Sequence, residues 1–533
     1  MKTTISKSFI ILSIIALSLT SCLKDLDRTP FYGLNTESVY ADPDNYIEVL
    51  AKLYAGFTTT GNQGPAGKPD ISGIDEGFSN YIRVFWNLQE LPTDEAVCGW
   101  NDPGIPELHE MSWSSDNSWV KGMYYRIYFQ IPLCNEFIRE TADDKLNERG
   151  FSAENIDKIK NYRNEARFLR ALTYYHAMDL FGNVPFVTEE DASGSFFPEQ
   201  ISRNDLFNYI EGELKDVENL LLEPGQNEYA RANKAAAWTL LAKMYLNAEV
   251  YTGQARYSDA VAYCDKILGA GYTLESKYTN LFLADNHLSN EIIFPITSDG
   301  KFTTSYGITT FLVHAPVGGS MKPLEFGISG GWGGYRTTSA FVAQFPDTLD
   351  GRYLFYTDGQ NLSVNDTVNG VIKLSANFTD GWAIAKWRNV TSAGVIGSDP
   401  TGTFVDTDYP LFRLGDVYLM YAEAVLRGGG GDQGKALDLV NQLRERAYGN
   451  SGSSVSSLDL DFLFAERSRE MQWEGTRRTD LIRYGRFSGG SYLWPFKGGV
   501  QPEGASVPEY LDLFPLPASD IIANPNLKQN PGY

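Results

Sequence analysis

Histidine and cysteine are scarce, with four of each in 533 residues. His109, His176, His287 and His314 are far apart, and His109-Glu110 lacks the second histidine of a zinc protease. Apart from Cys22 the thiols are Cys98, Cys134 and Cys264. Without a C-x-x-C pair they suggest neither a zinc site nor a disulfide framework, and their odd number leaves at least one thiol free. Basic residues are also outnumbered, 45 against 67 acidic, for a formal charge of −22. That excess argues against nucleic acid and against a body lying on an anionic membrane surface. No Gly-Lys-Ser/Thr follows the glycine cluster at 327–336, which excludes a phosphate loop. Gly327-Ile328-Ser329-Gly330-Gly331 has the form of a nucleophile elbow, but that chemistry needs a histidine after the serine, and all four precede it. No motif calls for a cofactor, and whether the loops hold a metal ion is left open.

The apolar run Phe9–Leu19 follows Lys2 and Lys7 and ends in Leu19-Thr20-Ser21-Cys22. It is too short for a bilayer core of about 30 Å and reads as an export signal. Leu-Thr-Ser-Cys is a lipobox, whose Cys22 thiol would accept diacylglycerol before cleavage. Residues 1–21 are then a signal peptide, and two or more acyl chains on Cys22 give stable anchoring. At 43% hydrophobic the remainder can bury a large core in two or three regions.

Trp238, Leu241, Ala242 and Tyr245 fall at offsets 0, 3, 4 and 7, on one helical face. Ala260 and Cys264 follow on a second apolar stripe with Val261, Ile267 and Leu268. This is the tetratricopeptide pattern, with Ala in the Gly place, Cys in the Phe place and a longer connector than the consensus. Phe168, Ala171, Leu172 and Tyr175 repeat the face on a helix from about Ser152 to Phe181. Tyr418, Tyr421, Ala422 and Val425 repeat it again, with Ala436 and Val440 on the partner helix. Such hairpins cannot bury their own faces and must stack. The expected fold is mainly α, a tetratricopeptide-like scaffold carrying a large irregular, partly β insertion.

Elsewhere, Asp42-Pro43 reads as the cap and first residue of a helix bearing Leu50, Leu53 and Phe57. A helix over 117–141 contains Pro132, which predicts a kink, and one near 202–222 would partner the helix ending at Gly182. From 272 to 410 helical periodicity disappears. Short β-like runs (Ile292–Ile296, Phe311–Val313, Val371–Leu374, Ala383–Trp387) alternate with turns. The expected organisation is therefore a helical scaffold over 22–271, an insertion over 272–410, and helical pairs with an extended tail over 411–533.

Two constellations look site-like. Glu466, Arg467, Arg469, Glu470, Glu474, Arg477, Arg478, Asp480 and Arg483 place opposite charges at spacings of three and four, which reads best as a structural ion-pair network. The other is aromatic. Sugars present apolar C–H faces and hydroxyls, so their sites combine flat rings with a few charged or amide groups. Trp100-Asn101-Asp102 lies in a Pro/Gly loop with Asp75 and Arg83 upstream. Trp332 and Tyr335 lie in the glycine cluster, and Tyr306 in the same insertion.

The lipobox, RNEARFLRALTYYHAMDLFGNVPFVTE, GDVYLMYAEAVLRGGG, ERSREMQWEGTRRTDLIRYGRF and the terminal NPNLKQNPGY together resemble the SusD/RagB family of outer-membrane nutrient-binding lipoproteins. The resemblance implies a lipid-anchored, cell-surface protein of the outer membrane that performs no chemistry. It would hold oligosaccharide for a SusC-like TonB-dependent transporter. DEGFSNYIR and WNLQELPTDEAVCGWND are similar to the family's starch-binding type, where an Asp, an Arg and a Trp face the glycan. This implies glycan contacts for Asp75, Arg83 and Trp100, with Tyr306 and Trp332 as aromatic partners, and an α-glucan ligand. A peptide-capturing RagB-type protein and a tetratricopeptide protein–protein adaptor are the alternatives. An enzyme ranks third, since 67 acidic residues make chance carboxylate pairs inevitable.

Overall fold

The computed structural model describes residues 36–191, 194, 196–362, 378–499, 501 and 503–533. Cys22 and the run Val371–Leu374 lie outside the described residues.

Helix α1 (Asn45–Thr58) starts three residues after Asp42, whose carboxylate instead accepts from the Asp44 amide and closes a turn before the helix. Helix α2 (Tyr81–Glu90) follows a long loop, and strand β1 (Val97–Cys98) and helix α3 (Ile105–His109) come next. Helix α4 (Ser118–Glu140) is capped by Asn117 and remains helical through Pro132. Helix α5 (Ala153–Phe181) runs from the Ser152 cap to Gly182, whose φ of 73° suits glycine. Helix α6 (Arg203–Val217) packs against it, pairing as the sequence predicts.

Helices α7 (Lys234–Leu246) and α8 (Tyr257–Leu268) form the hairpin expected from the tetratricopeptide spacing. Its long connector holds a further short helix, Ala248–Thr252. Leu241, Ala242, Tyr245, Ala260 and Cys264 are fully buried, so the small residues do allow close approach. Trp238 differs from the expectation: it is only half-buried, with the Lys266 ammonium 5.8 Å from its ring. The chain then leaves the helical stack and returns through an antiparallel ribbon of β2 (Ile292–Ile296) and a later strand, Tyr409–Arg413. Between them lie helix α9 (Ile308–His314) and strand β3 (Tyr335–Arg336). Phe311–Val313, read as β-like from its apolar character, is part of α9, because a short buried run carries no periodicity to separate the two states.

Strand β4 (Tyr409–Arg413) leads directly into α10 (Leu414–Leu426), which packs on α8 and so continues the stack across the excursion. Helices α11 (Gln433–Tyr448), α12 (Leu460–Met471) and α13 (Arg477–Arg483) complete it. Helix α2 is buried along its whole length and meets α4, α9 and α13. The Trp86 indole on α2 donates to the Trp473 carbonyl at 3.1 Å, joining residues 387 apart in sequence.

Candidate carbohydrate-binding site

One buried side chain gathers the elements of the site. The Asn80 carbonyl oxygen accepts from the amides of Arg83 and Ile308, both at 3.1 Å, and so caps α2 and receives the start of α9. Its amide nitrogen donates to Thr58 O at 2.9 Å, at the end of α1. Gly307 is required here, since a Cβ on it would lie 2.1 Å from the Asn80 Cβ.

Arg83, one turn into α2, donates through Nη1 to Gly77 O at 2.9 Å and Tyr306 O at 3.0 Å. Its guanidinium lies among four rings: Phe311 at 4.8 Å, Trp332 at 5.6 Å, Trp119 at 5.7 Å and Trp100 at 6.0 Å. Burial draws its pKa down from the ordinary arginine value, while Tyr335, Cys98, Asp102 and Asp75 pull the other way.

Strands β1 and β3 pair antiparallel, Val97 opposite Arg336 and Cys98 opposite Tyr335, and Gly99 N donates to Gly334 O at 2.9 Å. This pairing places Trp100 and Trp332, 232 residues apart, with ring centroids 6.2 Å apart. Trp332 in turn lies 6.3 Å from Tyr306. All three rings are half-exposed and form an arc over the buried guanidinium. The glycine cluster makes the approach possible: a Cβ on Gly334 would fall 2.1 Å from the Trp100 ring, and one on Gly331 2.0 Å from the Val317 carbonyl. The Trp332 amide donates to His314 O at 2.8 Å and the Gly333 amide to Val317 O at 2.9 Å, fastening the cluster to the end of α9.

The other expected residues divide. Asp75 is exposed, with one carboxylate oxygen accepting from the Gly77 and Phe78 amides and the other free of protein partners among the described residues. Asn101 is exposed beside Trp100. Tyr335 must be corrected: it is fully buried, its hydroxyl donates to Asn87, and its ring meets Trp100 edge-on at 5.1 Å. It supports the arc from below, its ring packed against Trp86 and Phe311 in the core. Sequence reasoning missed His314, whose ring stacks on Trp332 at 5.0 Å and 23°, with Nδ1 fixed 2.7 Å from Gly330 O. It also missed Phe404, 5.7 Å from Tyr306. No spacing pattern links either to its partner.

The charged constellation has a different setting. Glu470 pairs with Arg413 at 2.7 Å, Arg352 at 3.1 Å and Arg446, while Glu466 pairs with Arg352 at 2.7 Å and Glu474 with Lys386 at 2.7 Å. Arg477 reaches Asp94 at 2.7 Å, and Arg483 reaches Glu423 at 2.7 Å. These groups are buried. Burial pushes the Glu466 carboxyl up, but Arg352, Arg469 and Arg444 outweigh it and hold the group at about 2. This is the structural ion-pair network expected, but only Glu466–Arg469 and Asp480–Arg483 realise the spacing of three; other pairs tie α12 and α13 to the insertion and to the loop after α2. The Ser329 hydroxyl donates to Gly402 O at 3.2 Å, and the nearby His314 ring meets the Gly330 carbonyl through Nδ1. Among the described residues no group of three His, Cys, Asp or Glu side chains is placed to hold a metal ion.

An arc of half-exposed rings carried by a stack of helical hairpins is the layout of a ligand-binding protein built on a repeat scaffold. A family profile described as "SusD family" matches residues 331–533, and one described as "Starch-binding associating with outer membrane" matches residues 104–246. The starch-binding protein SusD of Bacteroides thetaiotaomicron is 35% identical over 566 aligned positions, covering 98% of each chain. A SusD-like protein of Bacteroides ovatus is 26% identical, covering 100% of this chain and 99% of the relative. Among solved structures, surface glycan-binding protein A from Bacteroides fluxus superposes with a TM-score of 0.69 at 20% identity, over 92% of this chain and 99% of its own. Surface glycan-binding protein A from Bacteroides thetaiotaomicron, in complex with laminarihexaose, gives 0.67 at 20% identity, over 91% and 99%. The chain belongs to the SusD family. No described helix is long and apolar enough to cross a membrane.

Proposed function

We propose that this protein captures oligosaccharide at the cell surface, α-glucan in preference, and passes it to a SusC-like TonB-dependent transporter without chemical change. The observation that carries the reading is the arc Trp100–Trp332–Tyr306, held rigid around Arg83. Rings in this arrangement offer stacking faces to successive sugars, and preorganisation spares the ligand the cost of ordering them. Asp75 and Asn101, exposed at the rim, would accept and donate hydrogen bonds to hydroxyls. Arg83, 8% exposed, would act mainly by fixing the Tyr306 carbonyl and the undersides of the rings. The α-glucan preference draws support from the 35% identity to a protein named for starch binding. The family profile's description favours the outer membrane, and Cys22 would supply the lipid anchor. Cys22→Ala should then shift the protein from the membrane fraction to the soluble one, and retention after a salt wash would refute anchoring there.

Titration calorimetry of the purified protein with maltooligosaccharides tests the binding reading. Trp332→Ala should weaken binding by roughly 30-fold, from an anchor worth about 2 kcal/mol, with the melting temperature little changed. Normal binding by a variant that melts far lower would make Trp332 a core residue and move the site elsewhere. Prolonged incubation with starch should release no new reducing ends.

A further inference from the structure

Four residues before Tyr306 the chain turns sharply at 299–303 and presents Phe302 with 83% of its surface exposed. An isolated exposed phenylalanine on a loose loop would need no explanation. This turn is not loose. The Asp299 carboxylate accepts from the amides of Lys301 at 2.8 Å and Phe302 at 3.0 Å. The Asp299 carbonyl accepts from the Thr303 amide at 2.9 Å and hydroxyl at 3.0 Å, and the Asp299 amide donates to that same hydroxyl. From outside, Gly300 N donates to Asp406 Oδ1 at 2.7 Å. A Cβ on Gly300 would meet Asp399, Asp406 and Phe404 at 3.1 Å each, so the turn lies flush on the 399–406 loop. That loop also carries Phe404, the ring against Tyr306. The two segments form one braced rim, continuous with the end of the aromatic arc and topped by an apolar ring.

We propose that Phe302 is an additional stacking platform at the outer end of the same glycan site, engaged only by chains long enough to pass beyond Tyr306. The assignment rests on the carbohydrate-binding reading of the arc. Four residues of chain span at most about 14 Å, so the ring lies within a few sugar units of Tyr306. The ring is open to solvent and the backbone that carries it is held by the turn, so a sugar face gains contact area there with only the side-chain rotamer left to order.

The test compares two ligands on three proteins. Maltotriose and maltoheptaose are titrated into the wild type, Phe302→Ala and Trp332→Ala. Phe302→Ala should weaken maltoheptaose by about three- to tenfold, the scale of one aromatic contact, and leave maltotriose unchanged. Phe302→Trp, with a larger ring, should restore or tighten maltoheptaose. Trp332→Ala should weaken both ligands. If Trp332→Ala weakens both while Phe302→Ala changes neither, the site stands, Phe302 serves a protein surface, and the proposal is overturned. An equal loss for both ligands in Phe302→Ala also overturns it, since the ring would then lie at the centre of the site. If the wild type binds neither ligand, the α-glucan reading and the Phe302 assignment fall together.

Discussion

Two parts of the molecule are rich in residues that could make a site, and they end in opposite states. The segment 466–483 carries nine charged side chains within 18 positions, and all of them are buried among partners of opposite sign. The arc at Trp100, Trp332 and Tyr306 is drawn from distant segments and stays half open to solvent. The difference lies in whether binding capacity is already used. A buried carboxylate with two or three arginine partners has nothing left for a ligand, whereas a ring packed on one face keeps the other available. Density of functional groups along the chain is thus a poor guide to a site compared with unspent contact capacity in space.

The strongest way to break the comparison is to remove a charge from the closed network. Glu470→Ala takes one carboxylate partner from each of Arg413, Arg446 and Arg352, which keep Glu291 and Glu474, Glu291, and Asp350 and Glu466 respectively. Breaking a buried ion-pair network by removing one member costs about 3–5 kcal/mol. A large fall in chemical-denaturation stability is expected, with glycan affinity of the folded fraction preserved. A fully stable variant that no longer binds would reverse the roles assigned to the two regions.

A second test uses pH on the scaffold beside the arc. His109 on α3 is buried, and desolvation lowers its pKa from 6.5 to about 4. Below pH 6.5 the unfolded chain takes up a proton that the folded chain refuses, so stability falls as pH drops from about 6.5 toward 4. At pH 5 the loss amounts to about 2 kcal/mol. His109→Phe should therefore lose less melting temperature than the wild type between pH 7 and pH 5. Parallel melting profiles would show that His109 is protonated in the fold.

Smaller effects sharpen the open side. Gly334→Ala adds a methyl group 2.1 Å from the Trp100 ring. It should displace the indole and weaken oligosaccharide binding by about tenfold, or about 1.4 kcal/mol, while leaving the helical stack cooperative. The smallest effect expected is that of salt. A neutral glycan held by stacking releases no counterions, so affinity should barely move between about 50 mM and 500 mM, over which the Debye length falls about threefold. A steep salt slope would instead favour capture of a cationic peptide by this acidic body.

Helices were the most legible part of the chain. Ser152 and Gly182 bound α5 as the capping signals require, and the 0-3-4-7 faces at Phe168 and Tyr418 are buried as the repeat pattern demands. Local signals of this kind act within a few residues, so a contiguous stretch of chain is enough to read them. The insertion was less legible: Phe311–Val313 is helical, and the strand expected over Ala383–Trp387 shrinks to Ala383–Ile384. Short apolar runs there take whatever state their neighbours allow.

At the site, the sequence by itself determined which residue types were to hand: loop tryptophans beside Asn and Asp, and glycines that leave room for an indole. It also showed charges of both signs crowded at 466–483, of which only Glu466–Arg469 and Asp480–Arg483 pair through helical spacing, the rest finding partners on other elements. Only the tertiary structure decided that Trp100 and Trp332 share one surface, through a two-residue strand pairing that no periodicity announces. It also turned Tyr335 inward, set His314 beneath Trp332, and used the Arg83 Nη1 to hold a carbonyl. All but the His314 contact, which joins positions 18 apart, depend on contacts between segments more than 200 residues apart. Packing of that kind is a property of the assembled core, and it has no counterpart in local sequence.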